Sequence, residues 1–246
     1  MDKYGLIGYP LGHSFSQVYF NQKFVDEKID AEYVNFQIAD IQEFKYIIED
    51  NPNLCGLNVT LPYKTKVIDF LHEMDADARD IGAVNVIKFI RKGTKLRLKG
   101  YNSDILGFKQ SISPLLKPYH RRALILGTGG ASLAVLHGLK QLGVESVFVS
   151  RKSAPSYLTY QELTPRIMEE HTVIVNTTPV GMYPRANQSP DIPFDLISEQ
   201  HLLYDLIYNP GETLFMEKGK KQGATVKNGL EMLLLQAFVS WKIWTE

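Results

Sequence analysis

The sequence predicts an α/β protein made of two domains, each with its own sheet. Short runs of apolar and β-branched residues alternate with helical patterns along nearly the whole chain, which is typical of strands and helices that build mostly parallel sheets. The alternation begins twice, first at Tyr4 and again near Ala123. A chain of 246 residues with 44% apolar residues is long enough for two cores of this kind.

The first series of elements occupies about one hundred residues. The patterns predict strands at 4–8, 32–37 and 54–59, helices at 15–29 and 41–49, a helix starting at Tyr63, and a hairpin with strands at 84–90 and 96–99. Ser14 is placed to cap the first helix, and Asp40 with Glu43 forms a capping pair for the second. The expected sheet is mostly parallel with an antiparallel edge.

The second series has the same alternation. It predicts strands at 122–126, 146–149, 173–176, 202–206 and 224–226, and a helix at 132–142. The last segment is predicted as a packing helix, because its apolar residues recur at helical spacing. These residues are Leu230, Leu233, Leu234, Ala237, Phe238, Trp241 and Trp244. Gln236 lies off that apolar set and is a candidate to direct its carboxamide into a cleft.

Composition excludes several classes of partner. Lys plus Arg and Asp plus Glu number 27 each, so no net charge favours nucleic acid or an anionic membrane. The N-terminal residues form no signal region, and no apolar stretch approaches the ~18 residues that span a bilayer, so we expect a cytoplasmic protein. The single cysteine, Cys55, excludes an internal disulfide and supplies no metal-ligand set. Its apolar neighbours favour a buried small side chain over a nucleophile.

A glycine-rich turn is the strongest local sign of a cofactor. Gly127-Thr128-Gly129-Gly130-Ala131 stands between the apolar run 122–126 and the predicted helix. In a strand–turn–helix setting such glycines let backbone N–H groups approach a dinucleotide pyrophosphate at the positive end of the helix. Ordinary tight turns carry similar glycine pairs, so the motif alone leaves that alternative open.

The next strand indicates which dinucleotide is bound. An NAD site carries Asp or Glu about 20 residues after the glycines, to accept a hydrogen bond from the ribose 2′-hydroxyl. This chain has Ser150-Arg151-Lys152 there, which favours the 2′-phosphate of NADP, although an exposed basic strand end remains an alternative. The segment 176–182 ends the following strand, where it is expected to lie along the cofactor unless it is a plain Pro-Gly turn.

Three short segments supply candidates for substrate chemistry. Ser14 and Ser16, beside His13, form a plausible carboxylate cradle near a helix N-terminus, with a simple helix cap as the alternative for Ser14. Lys64 lies at the predicted start of a helix, where the dipole disfavours a cation, and it is a candidate proton donor among many ordinary exposed lysines. Asp104 is a candidate carboxylate partner, with a helix cap or an ordinary residue of the first helical turn as the alternative.

Taken together and in order, the motifs resemble the shikimate dehydrogenase family over essentially the whole chain. The resemblance rests on eight motifs: Gly8-x-Pro10-x-x-His13-Ser14-x-Ser16, Asn58-Val59-Thr60-x-Pro62-x-Lys64, Gly82-Ala83-Val84-Asn85, Gly100-x-Asn102-x-Asp104, Gly127-x-Gly129-Gly130-Ala131, Asn176-x-Thr178-Pro179-x-Gly181-Met182, Tyr208-Asn209-Pro210 and Gly229-x-x-Met232-x-x-x-Gln236. Eight ordered motifs are far more specific than any single glycine turn.

The resemblance implies an enzyme that reduces 3-dehydroshikimate to shikimate with NADPH, in the pathway to aromatic amino acids. It implies a substrate domain of residues 1–103 plus 228–246 and a Rossmann-like NADP domain of residues 104–227, with the site between them. Lys64 and Asp104 would be the catalytic pair. The implied substrate residues are Ser14, Ser16, Asn58, Thr60, Lys64, Asn85, Asp104, Tyr208 and Gln236. The implied cofactor residues are Gly127, Thr128, Gly129, Gly130, Ala131, Ser150, Arg151, Lys152, Thr177, Leu206 and Gly229; no metal is expected.

The chain departs from the family's usual wording at several positions. Val86 and Ser103 stand where threonine is common, and Ser150-Arg151-Lys152 replaces Asn-Arg-Thr or Asn-Arg-Ser. The replacement at 150–152 removes one hydrogen-bonding side chain at the adenosine end and adds a cation. The chain is also somewhat short for the family, and the segment 153–160 is expected to be a trimmed loop. Two alternatives stay open: a relative that also uses quinate or NAD, and a catalytically silent sensor of shikimate-type ligands. The sequence does not distinguish a monomer from a homodimer.

Overall fold

The structure is a computed structural model that describes residues 1–12 and 14–246. These residues form two compact units, Met1–Ser103 with Ala237–Glu246, and Asp104–Gln236. The boundary between these units falls inside the last helix, between Gln236 and Ala237, and the assignment of 228–246 to one domain stays a prediction. In the described parts of the chain, no helix has both the length and the apolar character needed to cross a membrane.

The first unit is a sheet with short helices. Its strands are β1 (Asp2–Gly8), β2 (Ala31–Gln37), β3 (Leu54–Val59), β4 (Glu73–Met74), β5 (Val86–Lys92) and β6 (Lys95–Tyr101). Its helices are α1 (Phe15–Asp26), α2 (Phe44–Asp50) and α3 (Ala76–Ile81), with 3-10 turns at Ile41–Glu43 and Lys66–Phe70. The strand order is β2-β1-β3-β5-β6-β4.

The sheet is mostly parallel, as predicted, but its antiparallel strand is internal. β5 is antiparallel to both β3 and β6, while β4 pairs with β6 in parallel and forms the edge. The sequence did not predict β4, because a strand of two residues has no periodicity to detect. The predicted hairpin therefore lies inside the sheet.

The helix predicted from Tyr63 does not form. A turn at 64–65 leads instead into the 3-10 segment Lys66–Phe70, and His72 N then donates to Leu98 O at 3.0 Å. Tyr63 is buried and its hydroxyl donates to Ile38 O at 2.7 Å, so packing and sheet contacts hold this segment in an irregular conformation. Local helical spacing is a weak determinant where such tertiary contacts compete with it.

The end of the last helix packs into the first unit. This helix, here α8 (Leu230–Thr245), places Trp244 against Gly56 of β3, where a Cβ atom would collide with the indole ring. The indole Nε1 donates to Ile87 O of β5 at 3.1 Å. Trp244 belongs to an aromatic cluster with Phe20 and Tyr33, and its burial fixes the C-terminal segment on the sheet.

The second unit contains an entirely parallel sheet. Its strands are β7 (Arg122–Leu126), β8 (Glu145–Ser150), β9 (Tyr157–Thr159), β10 (Val173–Asn176), β11 (Leu202–Asp205) and β12 (Thr225–Lys227). Its helices are α4 (Ser103–Ile112), α5 (Gly130–Gln141), α6 (Pro165–Glu170), α7 (Leu214–Lys221) and the first part of α8; the 3-10 turns are Ser113–Leu115, Tyr160–Glu162 and Phe194–Leu196. The strand order β12-β11-β10-β7-β8-β9 is the doubly wound Rossmann order.

Two local predictions in this part of the chain were wrong. The segment expected to be a trimmed loop contains β9, which pairs with β8 and completes the sheet edge. In α8, Leu230, Leu234 and Phe238 are 41%, 39% and 59% exposed, although their spacing had placed them on one apolar face with Trp244. Ala237 and Trp244 of the predicted set are buried, and so are Met232 and Val239, which lie outside it.

Candidate active site

Several predicted substrate residues lie at one edge of the first sheet. β1 and β3 are parallel neighbours that end at this edge, where Thr60 N donates to Ile7 O at 2.9 Å. β5 runs in the opposite direction and begins there, and Val59 N donates to Asn85 O at 2.9 Å. The fold therefore brings Asn85, 27 residues further along the chain than Asn58, to a position beside Asn58 and Thr60.

Lys64 lies close to this edge on an anchored backbone. Its carbonyl oxygen accepts a hydrogen bond from Val84 N at 2.8 Å, and its neighbour Tyr63 is buried. The Lys64 side chain is half-buried. Because the 3-10 segment starts only at Lys66, Lys64 does not lie at a helix N-terminus, and that prediction was wrong. The anchored backbone is a different reason to expect a well-positioned ammonium group.

The two asparagines belong to a buried polar network. Asn58 and Asn85 are 6% and 3% exposed. Asn58 Oδ1 accepts from the Tyr33 hydroxyl at 2.8 Å, while Asn58 Nδ2 donates to Ser240 Oγ at 3.0 Å and to Asn85 O at 3.3 Å. Asn85 Oδ1 accepts from Ser103 N at 2.7 Å, and Asn85 Nδ2 donates to Ser103 Oγ at 3.0 Å.

The predicted carboxylate cradle is described in part. Ser14 is the N-cap of α1, and its Oγ accepts from Gln17 N at 3.3 Å. Ser14 therefore makes the capping contact that was the alternative to a carboxylate cradle. Ser16 lies in the first turn of α1. Both serines are half-buried. His13, which the sequence placed beside them, lies outside the described residues.

The remaining predicted substrate residues belong to the second unit. Asp104 is in the first turn of α4 and is 8% exposed. Tyr208, 38% exposed, follows β11, and Gln236 is a half-buried residue of α8 and the last residue of this unit. Gly107 of α4 faces the backbone of Met232 in α8, where a Cβ would come within 2.8 Å of the carbonyl oxygen. This close approach packs the helix that carries Asp104 against the one that carries Gln236.

The predicted cofactor residues lie at one edge of the second sheet. β7, β8, β10 and β11 are parallel, and their ends are aligned through the pairs Leu126 with Val149 and Asn176 with Leu126. The turn 127–131, the segment Ser150-Arg151-Lys152, Thr177 and Leu206 all follow these strand ends. Ligands of open α/β sheets bind at this edge, beside the point where the strand order reverses.

The glycine turn has the geometry that a pyrophosphate needs. Gly127 has φ +102°, and a Cβ there would approach Thr178 Cγ2 to 2.9 Å. Gly129 is the N-cap of α5, a helix of 12 residues, and a Cβ at this position would meet nothing within 4 Å. The helix N-terminus is therefore open to an anion, which its N–H groups and dipole favour.

The other predicted cofactor residues make distinct local contacts. Arg151 and Lys152 are exposed, and Lys152 N donates to Ser150 Oγ at 3.1 Å in the turn after β8. Thr177 Oγ1 donates to Leu126 O at 2.6 Å, which ties the loop after β10 to the strand before the glycines. Gly229 leaves no room for a side chain, because a Cβ would collide with Leu206 O.

A buried carboxylate holds two of these loops together. Asp205 is fully buried; its Oδ1 accepts from Asn176 Nδ2 and from Ile207 N, both at 3.0 Å, and its Oδ2 accepts from Thr213 Oγ1 at 2.6 Å. Burial raises the pKa of Asp205 to about 6, against the opposing effect of these three hydrogen bonds. Asn176 Oδ1 in turn accepts from Thr178 N and Thr178 Oγ1.

The sequence analysis did not identify three residues that hydrogen-bond to residues of the predicted motifs. Tyr33, Ser240 and Asp205 have no motif of their own; only the position of Asp205 at the end of a predicted strand was available as a signal. No cluster of three or more potential metal ligands occurs in the described residues.

The fold and site define a class of dinucleotide-binding α/β proteins, and comparisons with known proteins identify the family. The family model described as the shikimate dehydrogenase substrate binding domain matches residues 6–87. The NADP(+) shikimate dehydrogenase of Caldicellulosiruptor saccharolyticus is 36% identical, over 99% of this chain and 92% of that protein. The chain therefore belongs to the shikimate dehydrogenase family.

Solved structures agree with the fold over the whole chain. A chorismate mutase/shikimate 5-dehydrogenase fusion protein from Clostridium acetobutylicum is 34% identical with a TM-score of 0.88, and the match covers 99% of this chain and 91% of that one. Shikimate 5-dehydrogenase from Thermus thermophilus, solved in complex with NADP(H) and shikimate, is 27% identical with a TM-score of 0.85, covering 100% and 94% of the two chains. The predicted two-domain α/β fold class is confirmed.

Proposed function

We propose that this protein is an NADP-dependent oxidoreductase that interconverts 3-dehydroshikimate and shikimate, a step toward the aromatic amino acids. The observation that carries the proposal is the convergence of Asn58, Thr60 and Asn85 near Lys64 at one sheet edge, in a chain that aligns over 99% of its length with an NADP(+) shikimate dehydrogenase. Hydroxyl and carboxamide groups suit a polyhydroxylated ring. The open N-terminus of α5 suits the cofactor's pyrophosphate.

The residues at the second sheet would hold NADP. The backbone of 127–131 and the first turn of α5 would bind the pyrophosphate, and Arg151 with Lys152 would bind the 2′-phosphate. Thr177, Leu206 and Gly229 would border the rest of the cofactor. They lie beside the loop after β10, which the hydrogen bonds of Asp205 and Asn176 hold in place. The bound nicotinamide would supply or accept the hydride. The two exposed cations favour NADP over NAD, because they suit a phosphate where an NAD site needs an acceptor for a ribose hydroxyl.

Lys64 would act as the general acid of the reduction. The ketone oxygen gains negative charge as it is reduced, and an ammonium within hydrogen-bond reach stabilises that charge and transfers a proton. In the oxidation of shikimate the neutral amine would accept the proton. Asp104 would accept a hydrogen bond from a substrate hydroxyl, Ser14, Ser16 and Tyr208 would bind the carboxylate, and Asn58, Thr60, Asn85 and Gln236 would bind the ring hydroxyls.

Initial rates with purified protein test the proposal. Shikimate and quinate are each combined with NADP and with NAD, and the reduced nicotinamide is followed by its absorbance. We expect the rate with shikimate and NADP to exceed the other three rates by about tenfold or more, a difference of ~1.4 kcal/mol in transition-state stabilisation. Comparable rates with quinate or NAD would instead identify an enzyme of dual specificity. Absence of turnover with every pair would favour a shikimate-binding sensor.

A further inference from the structure

Asn58 reaches the substrate edge with most of its hydrogen-bonding capacity already used. A carboxamide has two N–H donors and two acceptor lone pairs. In Asn58 the two donors point to Asn85 O and to Ser240 Oγ, and one lone pair accepts from the Tyr33 hydroxyl. What remains is one lone pair on Oδ1. With 6% of the residue exposed, Asn58 has room for one further contact, in which it is the acceptor.

Tyr33 is itself held rigidly. Its ring stacks on Phe20 with centroids 4.9 Å apart and planes 13° apart. Its backbone N–H donates to Asn21 Oδ1 and its carbonyl accepts from Asn21 Nδ2, both at 2.9 Å, which fixes β2 against α1. Burial raises the pKa of the phenol far above its ordinary range, so the hydroxyl stays protonated and donates to Asn58.

Tyr33 also connects two parts of the proposed substrate site. Its hydroxyl donates to Asn58, proposed to bind a ring hydroxyl, and its backbone is hydrogen-bonded to Asn21 of α1, the helix whose first turn carries Ser16, proposed to bind the substrate carboxylate. On the other side, Ser240 links Asn58 to Ser103, whose Oγ lies 3.3 Å from Ser240 Oγ. Buried polar networks of this kind fix one orientation of each member, because any other leaves a buried group unsatisfied.

We infer that Tyr33 and Ser240 are positioning residues, which hold the Asn58 carboxamide so that its carbonyl oxygen accepts a hydrogen bond from a ring hydroxyl of the substrate. The inference rests on the proposed function and makes it more specific. A carboxamide free to rotate would present its NH₂ and its oxygen in turn. The network selects the oxygen, and with it a substrate that carries an O–H donor at that place.

Removal of the Tyr33 hydroxyl tests the inference. In Tyr33→Phe we expect KM for shikimate to rise about tenfold, equivalent to ~1.4 kcal/mol, while kcat and KM for NADP stay within about twofold. The matched control is Tyr4→Phe, because Tyr4 is buried in the same aromatic cluster and lies opposite Tyr33 in the β1–β2 pair. We expect the control to retain the wild-type KM for shikimate.

A double-mutant cycle separates positioning from general loss of structure. If Tyr33 acts through Asn58, then Tyr33→Phe in an Asn58→Ala background raises KM no further. Full additivity in the cycle, an unchanged KM in Tyr33→Phe, or equal changes in Tyr33→Phe and Tyr4→Phe would each overturn the inference. If Tyr33→Phe does not fold, Ser240→Ala carries the same test, with an expected rise of about threefold that disappears in the Asn58→Ala background.

The wild-type rate keeps the two proposals distinguishable. Turnover of shikimate by the wild-type protein combined with an unchanged KM in Tyr33→Phe and Ser240→Ala rejects the positioning role alone. Absence of wild-type turnover rejects the proposed function, and the positioning role with it.

Discussion

The two sheet edges that carry the proposed site are built in opposite ways. At the first sheet, buried side chains bond to one another across strands, and Asn58 and Asn85 are 6% and 3% exposed. At the second sheet, the proposed contacts are backbone groups of an open turn and the exposed cations Arg151 and Lys152. A small polyhydroxylated ring needs several donors and acceptors at fixed positions, whereas pyrophosphate and 2′-phosphate can be bound largely through charge.

This difference predicts unequal tolerance to substitution. A change in a buried hydrogen-bonded network leaves other polar groups unsatisfied, and its effect spreads to neighbours. A change in an exposed cation removes one favourable interaction and leaves the fold intact. Substitutions at the first edge should therefore affect catalysis or substrate binding steeply, and those at the second edge should affect cofactor affinity in graded steps.

Replacement of Lys64 should give the largest effect. In Lys64→Ala we expect kcat to fall by about 10² or more with little change in KM for shikimate, because a positioned general acid typically contributes ~10²–10⁴. Steady-state kinetics in the direction of shikimate oxidation measure both constants. The matched control is Lys66→Ala, an exposed lysine two residues further along the chain, which should retain wild-type kcat. A wild-type kcat in Lys64→Ala would remove this lysine from the chemistry.

Much of the fold follows from periodicity and turn chemistry. The strand predicted at 54–59 and the strand predicted at 173–176 occur at those residues, because both are apolar runs with clear boundaries. The segment from Tyr63 could not be predicted, since the buried Tyr63 hydroxyl and the pairing of β4 with β6 are long-range contacts. In α8, spacing alone could not show that Phe238 would be exposed while Trp244 packs on Gly56.

The sequence offers candidate site residues where they belong to a motif, and it gives no signal for the residues that we infer to act through another residue. Lys64 and the glycine turn stand in ordered motifs. Tyr33 looks like any aromatic residue of a strand, and Ser240 like any small residue of a helix. Their contacts with Asn58 join segments 25 and 182 residues apart, and no local pattern encodes such pairing.

Replacement of Arg151 should give a smaller effect that is specific to one cofactor. We expect Arg151→Ala to raise KM for NADP about tenfold and to leave KM for NAD nearly unchanged, because the guanidinium is proposed to bind the 2′-phosphate that NAD lacks. Arg121→Ala is the control, since Arg121 is exposed and precedes β7 at the opposite edge of the same sheet. Equal changes in KM for both nucleotides would show that Arg151 does not bind the 2′-phosphate.

The buried Asp205 should give the smallest effect, seen in stability rather than in rate. Burial raises its pKa to about 6, so between about pH 4 and pH 6 the folded state binds more protons than the unfolded state. The contribution of this group to the free energy of unfolding therefore falls as pH rises through that window and is constant above it. Asp205→Asn keeps the shape of the side chain without its charge, so it should abolish this dependence.

Denaturant unfolding at pH 5.0 and pH 7.5 measures the difference. The free energy of unfolding of Asp205→Asn minus that of the wild type should be about 1 kcal/mol larger at pH 7.5 than at pH 5.0. The control is Asp195→Asn, at an exposed aspartate of the same unit, where the difference should be near zero. A pH-independent difference between Asp205→Asn and the wild type would mean that the three hydrogen bonds from Thr213, Asn176 and Ile207 outweigh the cost of burial. In that case a buried, ionised carboxylate would hold the loops of the second edge together. The network of the first edge is neutral, so the contrast between the two edges would be sharper.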